Sequence, residues 1–330
     1  MTKKDLIKAS TLALILLSSL IILTISLYAE KGVIFPDPLL EKTIRDAISG
    51  STDPITPSKL AKIEELDLYY SDVGDIAPLA KLKNLNALWL GSDNVTDLSP
   101  LSQLRKLEVF WLDCPCISDL SPLSSLTSLK VLWLAGNSIA DLGPLSKLNK
   151  LEVLGIHSDS VTDISPLASL TNLKVLWLDG DGIYDLYPLS QLTGLKTLWL
   201  SGDGFITLSS LSQLGTLEVL GLNGDSLTDI SPLASLTNLK VLWLNGVNVT
   251  ELSPLSKMEK LRILWLSDDK TAYASSLLLK TGDLGREGEG NSEKDQFSFL
   301  KTSPGAQVIK ELQEKGVKIN IHRQKEGKQQ

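Results

Sequence analysis

Leu129-Lys130-Val131-Leu132-Trp133-Leu134-Ala135-Gly136-Asn137-Ser138-Ile139-Ala140-Asp141-Leu142-Gly143-Pro144-Leu145-Ser146-Lys147-Leu148 is the stretch on which the fold turns. Its aliphatic residues at 129, 132, 134, 139, 142, 145 and 148 define columns that return every 22 residues between Leu66 and Leu266. Ten copies of the central alternating element are centred on residues 67, 89, 111, 133, 155, 177, 199, 221, 243 and 265. A unit this short cannot close a core alone, so stacked neighbours must bury one continuous leucine column. Val131-Leu132-Trp133-Leu134 alternates with period two and predicts a short parallel strand, with Leu132 and Leu134 inward and Trp133 outward. Small and polar residues then turn the chain away. Segments such as Asp163-Ile164-Ser165-Pro166-Leu167 carry a helix-start signal in too little chain for an α-helix, which predicts a 3₁₀ turn. Proline recurs at 78, 100, 122, 144, 166, 188, 232 and 254, with Ser210 the departure.

The pattern carried by Leu129, Leu132, Leu134, Asn137, Ile139, Asp141, Leu142, Pro144, Leu145 and Leu148 resembles the 22-residue repeat of internalin-type bacterial leucine-rich-repeat proteins. The resemblance covers residues 66–269 and implies an α/β solenoid of about ten repeats. A parallel sheet would line its concave face and short 3₁₀ turns its convex face. Phe35 to Ile48 is amphipathic, with Leu40, Ile44, Ala47 and Ile48 on one helical face, and resembles the helical cap of such proteins. We assign residues 30–65 to that cap. An end repeat requires a shield of this kind. The family also implies a concave face that binds protein. With no Leu-Pro-x-Thr-Gly signal and no C-terminal immunoglobulin-like extension, wall attachment and cell invasion are not implied.

The flanks differ in kind. Lys3, Lys4 and Lys8 precede an uncharged run from Ala9 to Ala29, so residues 1–29 read as a signal peptide or an uncleaved signal anchor. The run reaches the ~20 residues that span a bilayer, and its leading lysines would leave the remainder outside the cytoplasm, secreted or anchored. No cysteine follows the run, so a lipoprotein anchor is not expected. Residues 270–303 are polar and glycine-rich and read as a flexible loop. Residues 304–330 read as a C-terminal cap and tail: a helix over Ala306–Lys315, Gly316 as its stop and a strand over Val317–Ile321.

Composition narrows function. A net charge of −7 argues against nucleic acid and anionic lipid, which need concentrated basic surface. Membrane contact is expected only through the N-terminal segment. Cys114 and Cys116, one residue apart, do not suit a disulfide and read as free, half-buried thiols. No paired nucleophile and base, phosphate loop or metal-ligand cluster is present, so no catalytic residue, metal or cofactor is expected and the chain reads as non-enzymatic.

Candidate binding residues come from the outward columns of the sheet. Trp89, Trp111, Trp133, Trp177, Trp199, Trp243 and Trp265 all occupy one column; Gly155 and Gly221 interrupt it and Asp67 takes its first place. Parallel strands ~4.8 Å apart would bring neighbouring indoles together. The glycines are expected to expose backbone and divide the row into blocks. Such a row either shields the sheet, copied by duplication, or forms a binding surface, as exposed aromatic strips commonly do. Two columns' width further along each strand stand Tyr69, Asp113, His157, Asp179, Asn223 and Asn245, whose polar groups suit peptide or sugar recognition. A protein ligand is the expectation, a glycan the alternative and a ligand-free spacer the third reading.

The column that holds Asn137 is mostly Asp: Asp93, Asp159, Asp181, Asp203, Asp225 and Asp269. Carboxylates only accept hydrogen bonds and repel when stacked. Outward rotation, aided by loosening glycines, is expected; shared protons and a bound calcium are the other resolutions. Residues 151–180 and 217–246 agree at all but five positions, 66 residues apart, a recent duplication of three units.

Overall fold

Alternation and stacking produce the architecture. Each repeat contributes a strand of four or five residues whose leucines point to one side. The ten strands are β1 Glu65–Leu68, β2 Ala87–Gly91, β3 Val109–Asp113, β4 Val131–Ala135, β5 Val153–His157, β6 Val175–Asp179, β7 Thr197–Ser201, β8 Val219–Asn223, β9 Val241–Asn245 and β10 Ile263–Ser267. They pair in parallel and in chain order. Residues one repeat apart are direct partners, as in Phe110↔Leu132 and Trp111↔Trp133. The fold is the leucine-rich-repeat solenoid. The structure is a computed structural model and describes residues 32–48, 50, 52–245, 249, 251–267 and 306–322.

Behind the sheet, Leu88, Phe110, Leu132, Leu154, Leu176, Leu198, Leu220, Leu242 and Leu264 form one fully buried column. Burying each is worth about 1.5–3 kcal/mol, and a continuous file of them holds neighbouring units together. Nine 3₁₀ turns, from Ala77–Lys81 to Ser253–Lys257, return the chain on the opposite side. An acidic residue sets the start of every one of these turns except Ser209–Gln213, where Thr207 stands in its place. Asp97 Oδ1 accepts from Ser99 N–H at 2.7 Å, and Asp119, Asp163 and Asp229 repeat the arrangement. The Ser99 hydroxyl and N–H hold the Asp97 carboxyl below the usual carboxylate range. Ser210 replaces proline without loss of the turn Ser209–Gln213.

Both ends of the column are covered. Helix α1, Pro38–Ala47, buries Leu40 and Ile44 against β1; Ile48 just beyond it packs against the core, whereas Ala47 is exposed instead of joining that face. A second turn of helix, α2 Pro57–Leu60, adds buried Leu60. At the other end, α3 Ala306–Glu314 runs to Gly316, whose φ of +78° ends the helix, and β11 Lys318–His322 joins β10 as an eleventh strand. Leu312 is fully buried there.

Cys114 and Cys116 are free but not half-buried: Cys114 lies in the core and Cys116 is exposed. The period-two rule stops at the strand end, so adjacent turn residues need not share an environment. Burial pushes the Cys114 thiol up to about 11. Among the described residues no helix is long and apolar enough to cross a membrane. The apolar N-terminal run, the 270–303 loop, Asp269 and the tail beyond His322 lie outside the described residues.

Candidate binding face

The tryptophans stand where strand alternation puts them, between the two inward leucines of each strand. Six are half-buried and Trp265 is 38% exposed. Trp111 stacks on Trp133 with ring centroids 4.9 Å apart, and Trp177 on Trp199 at 5.9 Å. Trp243 stacks on Trp265 at 6.4 Å. The glycines do not break this row. Trp133 meets Trp177 edge-to-face at 5.1 Å across Gly155, and Trp199 meets Trp243 at 4.7 Å across Gly221. Both glycines are buried. A Cβ on Gly155 would lie 2.1 Å from Trp133 Cε3, and one on Gly221 1.9 Å from Trp199 Cε3. The expected gaps with exposed backbone are therefore absent, because a large ring leans over the next repeat and fills the space that hydrogen leaves. From Trp111 to Trp265 the indoles form one continuous file.

The same device serves the polar column. The Tyr69 ring crosses Gly91, where a Cβ would sit 2.8 Å from Cδ2, and its hydroxyl donates to Asp113 Oδ2 at 2.7 Å. Burial and that bond carry the Tyr69 phenol well above the usual tyrosine range. His157 Nδ1 lies 2.8 Å from Asp179 Oδ2. The bond to Asp179 raises the His157 pKa against the effect of burial. Burial pushes Asp179 up, but its bonds to His157 and Ser201 outweigh this and leave it below the ordinary carboxylate value. Asn223 Nδ2 donates to Ser201 Oγ at 3.1 Å, so His157, Asp179, Ser201 and Asn223 form a chain beside the indoles. Asn223 Oδ1 is buried and unpaired among the described residues. Asn245 is only 4% exposed, which leaves it little to offer a ligand.

A family model of leucine-rich repeats, two copies long, matches residues 127–169 and 216–255. Among solved structures, the internalin InlF of Listeria monocytogenes is 34% identical, with a TM-score of 0.65 over 71% of this chain and 70% of that one. Internalin C2 of the same organism is also 34% identical, with a TM-score of 0.56 over 72% of this chain and 98% of that one. The chain belongs to the internalin-type leucine-rich-repeat family. The functional domain of InlJ, described as including a cysteine ladder, is 25% identical over 71% of this chain and 55% of that one, at a TM-score of 0.55. No curated protein matches the sequence.

In this internalin-type chain the carboxylate column does turn outward: Asp93, Asp159, Asp181, Asp203 and Asp225 are all exposed. It is also ordered. Asp181 Oδ1 accepts the N–H of Asp203 at 3.0 Å, and Asp203 Oδ1 accepts that of Asp225 at 2.8 Å. The adjoining glycines do not loosen the turn, as expected from sequence, but allow it to close. A Cβ at Gly180, Gly202 or Gly224 would meet the preceding repeat's carbonyl oxygen at 2.2, 2.3 or 2.4 Å. No group of three potential metal ligands occurs among the described residues.

Sequence reasoning missed Gly91, Gly155 and Gly221 as seats for rings, and Ser201 as the link between Asp179 and Asn223. A signal was available: each of these glycines follows a large aromatic, Tyr69, Trp133 or Trp199, by one repeat length of 22 residues.

Proposed function

We propose that the protein is an extracytoplasmic, non-enzymatic binding module that takes a protein ligand on the tryptophan file of its concave face. Export would rest on the apolar run Ala9–Ala29, with the chain secreted or held by that run. The observation that carries the reading is the continuity of the file from Trp111 to Trp265, closed across both glycines. A contiguous apolar strip beside polar side chains is the common form of a protein-binding surface, and Trp is the residue most enriched at binding hot spots. Stacked indoles at 4.9, 5.9 and 6.4 Å spend their faces on each other. They therefore offer edges to a ligand, which suits aliphatic and aromatic protein side chains better than a sugar ring that needs a free face. Tyr69, Asp113, His157, Asp179 and Asn223 flank the strip and supply polar contacts.

The test is capture from native extract by the full chain, beside a variant carrying Trp111→Ala and Trp133→Ala. Loss of the captured protein with an unchanged unfolding midpoint supports the reading. Retained capture, or a variant that no longer folds, assigns the file to structure alone.

A further inference from the structure

Repeats six and seven depart from the others on the side away from the tryptophans. Tyr187 is 66% exposed and stands in a column that otherwise holds only small residues: Ser99, Ser121, Ser165, Ser209, Ser231 and Ser253, with Ala77 and Gly143. Tyr184, 67% exposed, replaces the Thr found at 96, 162 and 228. In the neighbouring turn Ser210 takes the place of the recurrent proline, and Thr207 that of the acidic capping residue. Gln191 and Gln213 are the one instance of glutamine in consecutive repeats of their column. These departures fall within residues 181–216, between the two near-identical copies 151–180 and 217–246. Copying therefore does not account for them.

Four of the changed residues, Tyr187, Gln191, Ser210 and Gln213, meet in one groove. Tyr187, Ser190, Gln191, Ser209, Ser210 and Gln213 line an open surface groove of about 410 Å³. No lining residue carries a charge. Tyr187 N–H is held by Asp185 Oδ1 at 2.8 Å, which fixes the backbone beneath its ring. Gln191 Nε2 donates to Ser190 Oγ at 3.2 Å and Gln213 Nε2 to Ser212 Oγ at 3.5 Å. Their carbonyl oxygens, and the hydroxyls of Tyr187 and Ser210, have no hydrogen-bond partner among the described residues. The groove thus combines an apolar ring with neutral donors and acceptors in close array.

That lining selects its ligand by charge and by hydrogen bonding. An ion would meet no counter-charge, and an apolar ligand would strand the amides and hydroxyls without partners. A neutral, hydroxyl-rich molecule satisfies both kinds of surface, with C–H groups on the Tyr187 ring and hydroxyls on glutamine and serine. We propose that this groove is a saccharide-binding site, separate from the tryptophan file and independent of what that file binds.

The substitutions that test it are already tolerated by the repeat. Tyr187→Ser, and Gln191→Ser with Gln213→Ser, restore side chains found in the same columns at Ser99, Ser125 and Ser235. The full chain is titrated calorimetrically with hexamers of N-acetylglucosamine, β-1,4-glucose and α-1,4-glucose. The expected result is binding of at least one hexamer with Kd below about 1 mM. It should weaken at least ten-fold in Tyr187→Ser and in the double glutamine variant, and not change in Trp111→Ala/Trp133→Ala. Absence of binding by all three hexamers overturns the proposal. So does binding that survives Tyr187→Ser, or that is lost in a Trp111→Ala/Trp133→Ala variant whose unfolding midpoint is unchanged.

Discussion

At the scale of the residue, hydrogen at three positions decides the shape of the outer face. Gly155, Gly221 and Gly91 each lie under a ring from the preceding repeat, and the distances leave no room for a methyl group. Gly155→Ala should therefore displace the Trp133 indole from its edge-to-face contact with Trp177. The overpacking should cost about 1–3 kcal/mol. Gly215, with nothing within 4 Å of its added Cβ, is the control, and its alanine variant should stay within about 0.5 kcal/mol. Near-UV circular dichroism and urea midpoints read both. An unaltered aromatic spectrum in Gly155→Ala would remove the ring from its assigned place. The His157–Asp179 pair is a different case: half-exposed and solvent-screened, it orients two side chains more than it stabilises the fold.

At the scale of the element, the N-terminal cap hangs on Asp37. Its Oδ1 accepts from the N–H groups of Leu39 and Leu40 at the start of α1, at 2.9 and 3.1 Å. Its Oδ2 reaches Gly74 N–H at 2.8 Å and Asp75 N–H at 3.4 Å, in the first repeat. One carboxylate thus caps a helix and ties it to the solenoid. Burial pushes the Asp37 pKa up, but the four backbone donors, Gly74 foremost, leave it lowered. A group with a lowered folded pKa stabilises above its unfolded value, ~3.9, and that contribution is lost as pH falls through the folded value. Asp37→Ala should cost about 1–2 kcal/mol at pH 7. The gap from the parent protein should shrink below pH ~3.9, seen in urea midpoints taken across that range. A gap that persists undiminished in acid would rule out the carboxylate as its source. The amphipathic face of this helix was legible in the sequence; the tie of Asp37 to a turn 37 residues away was not.

At the scale of the whole molecule, strand pairing and turn stacking run between successive repeats, and only the rings that cross Gly91, Gly155 and Gly221 reach one repeat further among the described residues. Sheet order equals chain order, and the turns stack in the same succession. Stability should then be a sum of unit and nearest-neighbour contributions. Leu88→Ala and Leu220→Ala, both fully buried and six repeats apart, should each cost about 2–5 kcal/mol and add within about 0.5 kcal/mol. Leu132→Ala and Leu154→Ala, direct partners across β4 and β5, should not add, because one cavity opens onto the other. Equal additivity in both pairs, measured by urea unfolding, would contradict a linear chain of interfaces.

The period of 22 by itself determined the strands, the 3₁₀ turns, the buried leucine column and the outward position of every tryptophan. Those follow from local alternation and from the need of each unit for a neighbour, both written in one repeat. The two caps were legible from their helical faces and stop signals. Only the tertiary structure decided that the tryptophans form a single file, that Tyr69 reaches Asp113 and that the aspartates link turn to turn. Each of those contacts joins side chains one or two repeats apart, and its form depends on how far a ring leans and how closely two backbones approach. Those are properties of the stacked assembly, which no single repeat contains.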